Sequence, residues 1–223
     1  MQAATAAHTA QTKTNAPQHP ALRMVARTVS FLFHPLFVPI YLIWFLLHYS
    51  ALFPGFSPAQ KNGLLIRFFV LYTLFPAATV GMAKALGFVE HIQLKTQRDR
   101  IIPYVACGVY YFWMWYVLRN QPQFPPQLVA FALAVFLASS AGLLLNAYLK
   151  ISMHALSAGV TLLFLCGVAL RSPMPMGLPL SIAFVLAGLV CTARLINSDH
   201  HPAQVYLGLV IGMGAQAVAF GVT

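Results

Sequence analysis

The sequence predicts an all-α, polytopic membrane protein with about seven transmembrane helices forming one helical bundle. Two observations carry this. Only 7% of the 223 residues are charged, against 60% hydrophobic, whereas a soluble domain carries about 25% charged residues. Apolar runs of the length needed to cross a ~30 Å hydrocarbon core, about 20 residues, also recur along nearly the whole chain. The formal net charge of +10 reflects scarce acids more than abundant bases, because Glu90, Asp99 and Asp199 are the only three acids. The basic residues are scattered among spans rather than crowded on a solvated face, so a nucleic-acid partner is not expected.

Taken in order, residues 1–27 are polar, rich in Ala, Thr and Gln and punctuated by Pro17 and Pro20. A disordered tail is expected there, followed by a single transmembrane domain over 28–223. The first apolar run starts too late for a signal peptide. Candidate spans cover 29–52, 64–87, 101–118, 126–148, 151–170, 176–196 and 203–222. The first contains His34-Pro35 and Pro39, which predict a kink or a late start. The second holds Arg67 and Pro76. The fourth and fifth are separated only by Lys150 and its neighbours, which predicts a tight hairpin. Gly208, Gly212 and Gly214 give the last span a small-residue face for close packing. Cys107, Cys166 and Cys191 all lie inside apolar runs without metal-ligand spacing and read as small buried hydrophobes.

Seven spans place the N-terminal tail and the loops at 88–100, 149–150 and 195–202 on one membrane face. That face carries all three acids together with Lys95, Arg98, Arg100, Lys150, Arg194 and His200. The connectors on the other face are Pro-rich and nearly featureless. Charged groups in such a chain are tolerated only near a surface or in a polar cavity, so one polar site is expected on one face. The taut run Ala193–Gln204 is its densest part, with Arg194, Asp199, His200 and His201 between two apolar spans.

The residue types narrow the chemistry. Only Asp99 and Asp199 lie inside the clusters, too few for a carboxylate cage around a hard cation, so no metal and no cofactor is expected. Cations that neutralise phosphoryl oxygens, with imidazoles able to attack or protonate, suit phosphoryl transfer. Lys150–His154 adds the start of the fifth span, whose free N–H groups and dipole favour an anion. Trp113 and Trp115 read as an interface belt. His34, His48 and His91 have no sequence partners and receive no role.

Three clusters resemble the signature of the type 2 phosphatidic acid phosphatase superfamily, membrane lipid phosphatases related to vanadium haloperoxidases. Arg194, five residues, His200, three residues and Gln204 keep the spacing of its third motif, which has Asp at the last position. Ile151-Ser152-Met153-His154 aligns with its Pro-Ser-Gly-His, and Lys95 with Pro103 aligns with its Lys, six residues, Arg-Pro. The arginine position of that first motif holds Ile102, with Arg98 and Arg100 just upstream. The resemblance runs from about residue 90 to the end.

The resemblance implies a metal-independent phosphatase acting on a lipid phosphate or polyprenyl diphosphate through a phosphohistidine. It implies His200 as nucleophile, His154 as the acid for the leaving group, and Gln204 in the place of the aspartate that orients the nucleophile. Lys95, Arg98 or Arg100, Ser152 and Arg194 would hold phosphate oxygens. Asp199 adjoins His200 and is a second source of negative charge, and His201 competes with His200 by helical spacing to Gln204. A non-catalytic lipid-phosphate-binding protein is the main alternative. A small transporter is the other, against which the charges stand at span ends rather than mid-span. The expected protein is a multi-pass integral membrane protein, in the inner (plasma) membrane if its source is bacterial. The positive-inside count puts the polar face in the cytoplasm, whereas the resemblance puts it on the opposite side.

Overall fold

The computed structural model describes residues 19–91, 94, 96–197 and 200–223. The described residues form eight helices: α1 (Pro20–Leu32), α2 (Val38–Tyr49), α3 (Pro58–Ala85), α4 (Gln97–Arg119), α5 (Pro126–Asn146), α6 (Met153–Arg171), α7 (Gly177–Ile196) and α8 (Pro202–Val222). The last six are long and apolar enough to cross a membrane, which supports an integral membrane protein. Where one span was expected over 29–52, the chain makes two helices. Pro35 has no N–H to give and biases His34 away from helical backbone, so α1 ends before it and α2 begins after Phe37.

Disorder was expected as far as residue 27, and this is corrected from Pro20 onward, where α1 begins. Pro20 stands at its first position, where the missing N–H costs nothing. Its inward face is narrow, with Ala26 and Ser30 buried one turn apart, and it packs on the C-terminal end of α7. Two small residues are too weak an apolar signal for periodicity to register.

In α3 the ladder passes through a π-helical turn at Val70–Leu74 just ahead of Pro76. A proline inside a helix leaves a carbonyl without its donor, and a wider turn re-registers the ladder around it. Thr73 in that turn donates its hydroxyl to the Leu36 carbonyl at 2.6 Å, pinning the start of α2 to α3.

The interior is a layer of aromatic and aliphatic side chains around α5, with Phe131, Phe164 and Phe220 linking α5, α6 and α8 at centroid distances of 5.1 and 6.0 Å. What positions the polar end is a glycine seam between α6 and α8. A Cβ at Gly159 would strike the Leu209 carbonyl, and one at Gly212 the Leu156 carbonyl, so the two backbones touch. Gly208 brings the seam up to the Ser152 carbonyl, 2.9 Å from where its Cβ would stand. The expected glycine face therefore holds at 208 and 212, but Gly214 looks onto open space.

Candidate functional site

The seam sets the first turn of α8 beside the first turn of α6. The Ser152 N–H donates to the Gln204 carbonyl at 3.2 Å, a bond between residues 52 apart in sequence that fixes one helix start against the other. Ser152 is the N-cap of α6 and is completely buried; its hydroxyl accepts the Ala155 N–H at 3.4 Å. It was expected to reach a phosphate; in the structure its oxygen also closes the helix end.

His200 follows from this geometry. It precedes α8 and is 7% exposed. Its Nδ1 lies 3.1 Å from the Lys150 carbonyl and 3.2 Å from Gln204 Oε1. Both neighbours can only accept, so Nδ1 carries the proton and the Nε2 lone pair is free of it. The orientation of the Gln204 amide is itself fixed, because Oε1 also receives the His201 backbone N–H at 3.2 Å. Burial, then the Arg194 and Arg100 guanidiniums, push the His200 imidazole down to about 4, so it is neutral at pH 7. His201 is exposed and stands at the N-cap of α8, its backbone N–H held by the Gln204 side chain.

Arg194 in the last turn of α7 and His154 in the first turn of α6 meet on α1. His154 Nε2 donates to the Ser30 carbonyl at 3.0 Å, while Arg194 Nη1 donates to the Ser30 hydroxyl at 3.5 Å. Asn197 adds its amide, Nδ2 reaching Ser30 Oγ at 3.2 Å and the Ala26 carbonyl at 3.4 Å. His34, which received no role from sequence, packs edge-on against His154 with ring centroids 5.1 Å apart. Arg194, His154 and His200 are close enough for their charges to interact.

The first cluster is divided. Arg100 is buried and clamps the site's rim, giving Nε to the Leu94 carbonyl and Nη1 to the Ile151 carbonyl, each at 2.9 Å. Arg98 points outward and is exposed. Lys95 and Asp199 lie outside the described residues. Asp99 is also structural: its Oδ1 accepts the Glu90 N–H at 2.9 Å and holds the loop before α4. Among the described residues no three of His, Cys, Asp and Glu gather as a metal site would require.

Below His154 an apolar cavity of about 490 Å³ opens between α2, α6 and α7. Tyr41, Phe45, Leu162, Leu165, Ile182 and Leu186 line it, and His154 stands at its polar end. Sequence reading missed this cavity, along with Ser30, Asn197 and His34. The two α1–α2 residues are brought in by a tertiary packing that no local pattern encodes.

Residues 146–222 match the model of the PAP2 superfamily. No curated protein and no solved structure matches the chain. The matched segment contains Ser152, His154, Arg194, His200 and Gln204, whereas Lys95 to Pro103, where the expected arginine is replaced by Ile102, falls outside it. The match supports phosphatase-type chemistry on a phosphate ester at a membrane. Over its C-terminal third, then, the chain is similar to the PAP2 superfamily.

Proposed function

We propose that the protein hydrolyses a lipid phosphate or diphosphate through a phosphohistidine, with His200 as nucleophile and His154 as general acid. The observation that carries this is the tautomer of His200. Two acceptors on Nδ1 leave Nε2 as a lone pair on a neutral, buried imidazole, the form in which histidine attacks phosphorus. Its Nε2 forms the N–P bond as the P–O bond to the lipid breaks. His154, charged as an imidazolium once the negative phosphate stands beside it, gives its Nε2 proton to the departing oxygen and is left neutral. Water then attacks the phosphohistidine, releasing phosphate and returning His200, with His154 taking the proton from that water.

Arg194 and Asn197 supply donors for the phosphoryl oxygens where negative charge collects. Gln204 stands in for a carboxylate. It fixes the His200 tautomer as a carboxylate does, but adds no charge to stabilise the imidazolium-like phosphohistidine. This predicts a slow enzyme rather than a dead one.

The lipid character of the substrate is supported by the cavity under His154. From His154 to Leu165 the groove follows α6 for eleven residues, about 16 Å at 1.5 Å per residue, or half of the ~30 Å hydrocarbon core. A lipid with its phosphate at Arg194 lays one chain along that wall.

The test is phosphate release by the purified protein from phosphatidic acid and a polyprenyl diphosphate in mixed micelles. Release that persists in EDTA and stops with vanadate is the expected result, because the cluster offers cations and imidazoles rather than a carboxylate cage. Release lost to EDTA and restored by magnesium contradicts the mechanism. Vanadate binding without release from either lipid favours the non-catalytic binding protein.

A further inference from the structure

The last carbonyls of a helix have no intrahelical donors and must find others. The Ser30 carbonyl, in the last turn of α1, finds His154 Nε2, while the Ser30 hydroxyl accepts from Arg194 and Asn197. A single residue thus sets two oxygens against the three side chains to which the proposed reaction gives the leaving group and the phosphoryl oxygens. We infer that Ser30 is an internal stand-in for the substrate phosphate, and that α1 is a strap which the substrate must displace. This rests on the reading of the cluster as a phosphate site.

The attachment of α1 suits displacement. Its remaining faces expose Leu22, Met24, Val25, Phe31 and Leu32 beside Arg23 and Arg27, the pattern of a helix that lies in the lipid–water interface. Only Ala26 and Ser30 are buried along it. Residues 33–37, with Pro35, separate it from α2, and Thr73 holds the Leu36 carbonyl on the far side of that break. The helix can therefore swing out along the interface while α2 stays on α3.

The exchange is favourable in kind. Ser30 offers two neutral oxygens, one of them 3.5 Å from Arg194. A phosphate offers charged oxygens to the same donors, and charge-assisted hydrogen bonds are about twice as strong as neutral ones. Once Ser30 leaves, the His154 Nε2 proton is also released to face a leaving oxygen. The strap occupies these donors until a substrate arrives.

The experiment uses full-length protein in lipid nanodiscs with orthovanadate as the probe. Saturating vanadate is expected to speed amide hydrogen exchange over residues 20–32, and Ser30→Ala to bind vanadate about 3- to 10-fold more tightly, the loss of one or two weak competing hydrogen bonds. Vanadate that binds the wild type yet leaves exchange over 20–32 unchanged or slower overturns the strap alone. Unchanged or weaker vanadate binding by Ser30→Ala does the same, since Ser30 then adds to anion binding or is irrelevant to it. If neither protein binds vanadate, the phosphate-site reading falls and the strap with it.

Discussion

Gln204 Oε1 lies 3.2 Å from His200 Nδ1 while receiving the His201 backbone N–H at the same distance. A glutamine amide can present either its oxygen or its nitrogen, and here the backbone N–H decides for the oxygen. The Lys150 carbonyl, 3.1 Å from the same Nδ1, gives the imidazole a second acceptor. Two acceptors mean that the tautomer does not depend on Gln204 alone. In a serine-hydrolase triad, loss of the orienting carboxylate costs about 10⁴ in turnover chiefly because the tautomer goes wrong; here that penalty is avoided.

Gln204→Leu is accordingly expected to reduce phosphate release only about tenfold, the cost of one neutral hydrogen bond with the tautomer kept. Gln204→Glu keeps the length of the side chain and adds the missing charge. It should raise turnover and raise the pKa of His200, because a carboxylate favours the charged imidazole. Steady-state rates with an imidazole NMR titration measure both. A Gln204→Leu loss near 10⁴, or a Gln204→Glu variant with neither change, contradicts the assigned relationship.

His200→Ala should abolish turnover, whereas His201→Ala should stay within about twofold of wild type, as expected for a surface residue far from such features. Helical spacing alone could not separate the two, since positions three and four before Gln204 are both near it. Burial separates them: His200 is inside with two partners and His201 is exposed. A dead His201→Ala variant with an active His200→Ala variant would reverse the assignment.

The pH profile follows from the depressed pKa. Burial and the neighbouring guanidiniums hold His200 at about 4 against an ordinary value of 6.5. His200 stays neutral well below pH 6, so with His200 as the attacking group the acid limb of kcat/KM is expected near 4. Between about 4 and 6.5 the unfolded chain binds the proton and the native site does not. The stability owed to this group is therefore full above 6.5 and declines as pH drops toward 4. An acid limb near 6.5 in the wild type would show an unperturbed histidine instead.

Much of the fold was legible because hydropathy and length alone mark long apolar helices, and six of them stand where spans were expected. Their composition says little about who neighbours whom. Arg194, His154 and His200 were singled out by residue type and spacing. Ser30 was not, because a serine in an exposed amphipathic stretch carries no signal until α1 packs on α7. Ser152 was read as a phosphate ligand, and its second role as N-cap, accepting the Ala155 N–H, shows only in the structure. Arg98 and Arg100, two apart, were inseparable by sequence. Helical phase sends one outward and the other onto the Leu94 and Ile151 carbonyls.

The glycine seam predicts a sharp contrast between neighbours. Gly212→Ala forces a methyl group into the Leu156 carbonyl, backbone that cannot swing aside. It should separate α6 from α8, destabilise the protein by about 1–3 kcal/mol as overpacking does, and weaken the site, since the same seam aligns Ser152 with Gln204. Gly214→Ala meets open space and should be neutral or slightly stabilising through helix propensity. Thermal unfolding in one detergent compares them, and equal melting temperatures would remove the seam from the account.

The apolar cavity makes the final prediction, which concerns chain length. Ala158 on α6 and Ala183 on α7 line it from facing helices, so a phenylalanine at either position narrows the groove; position 183 is eleven residues from Arg194 on α7, while position 158 is one helical turn from His154. If the groove holds the substrate's chain, each methylene excluded forfeits about 0.8 kcal/mol, and losing two costs about tenfold in kcat/KM. A short, water-soluble phosphate ester does not reach the groove and should be hydrolysed by Ala158→Phe and Ala183→Phe at close to the wild-type rate. The ratio of long-chain to short-chain kcat/KM is the measurement, because any general damage to folding cancels in it. A ratio that falls about tenfold in both variants places the chain along α6. A ratio unchanged in both means that the lipid chain lies elsewhere, against the outer faces of the bundle, while the assignment of His200 and His154 stands on its own geometry.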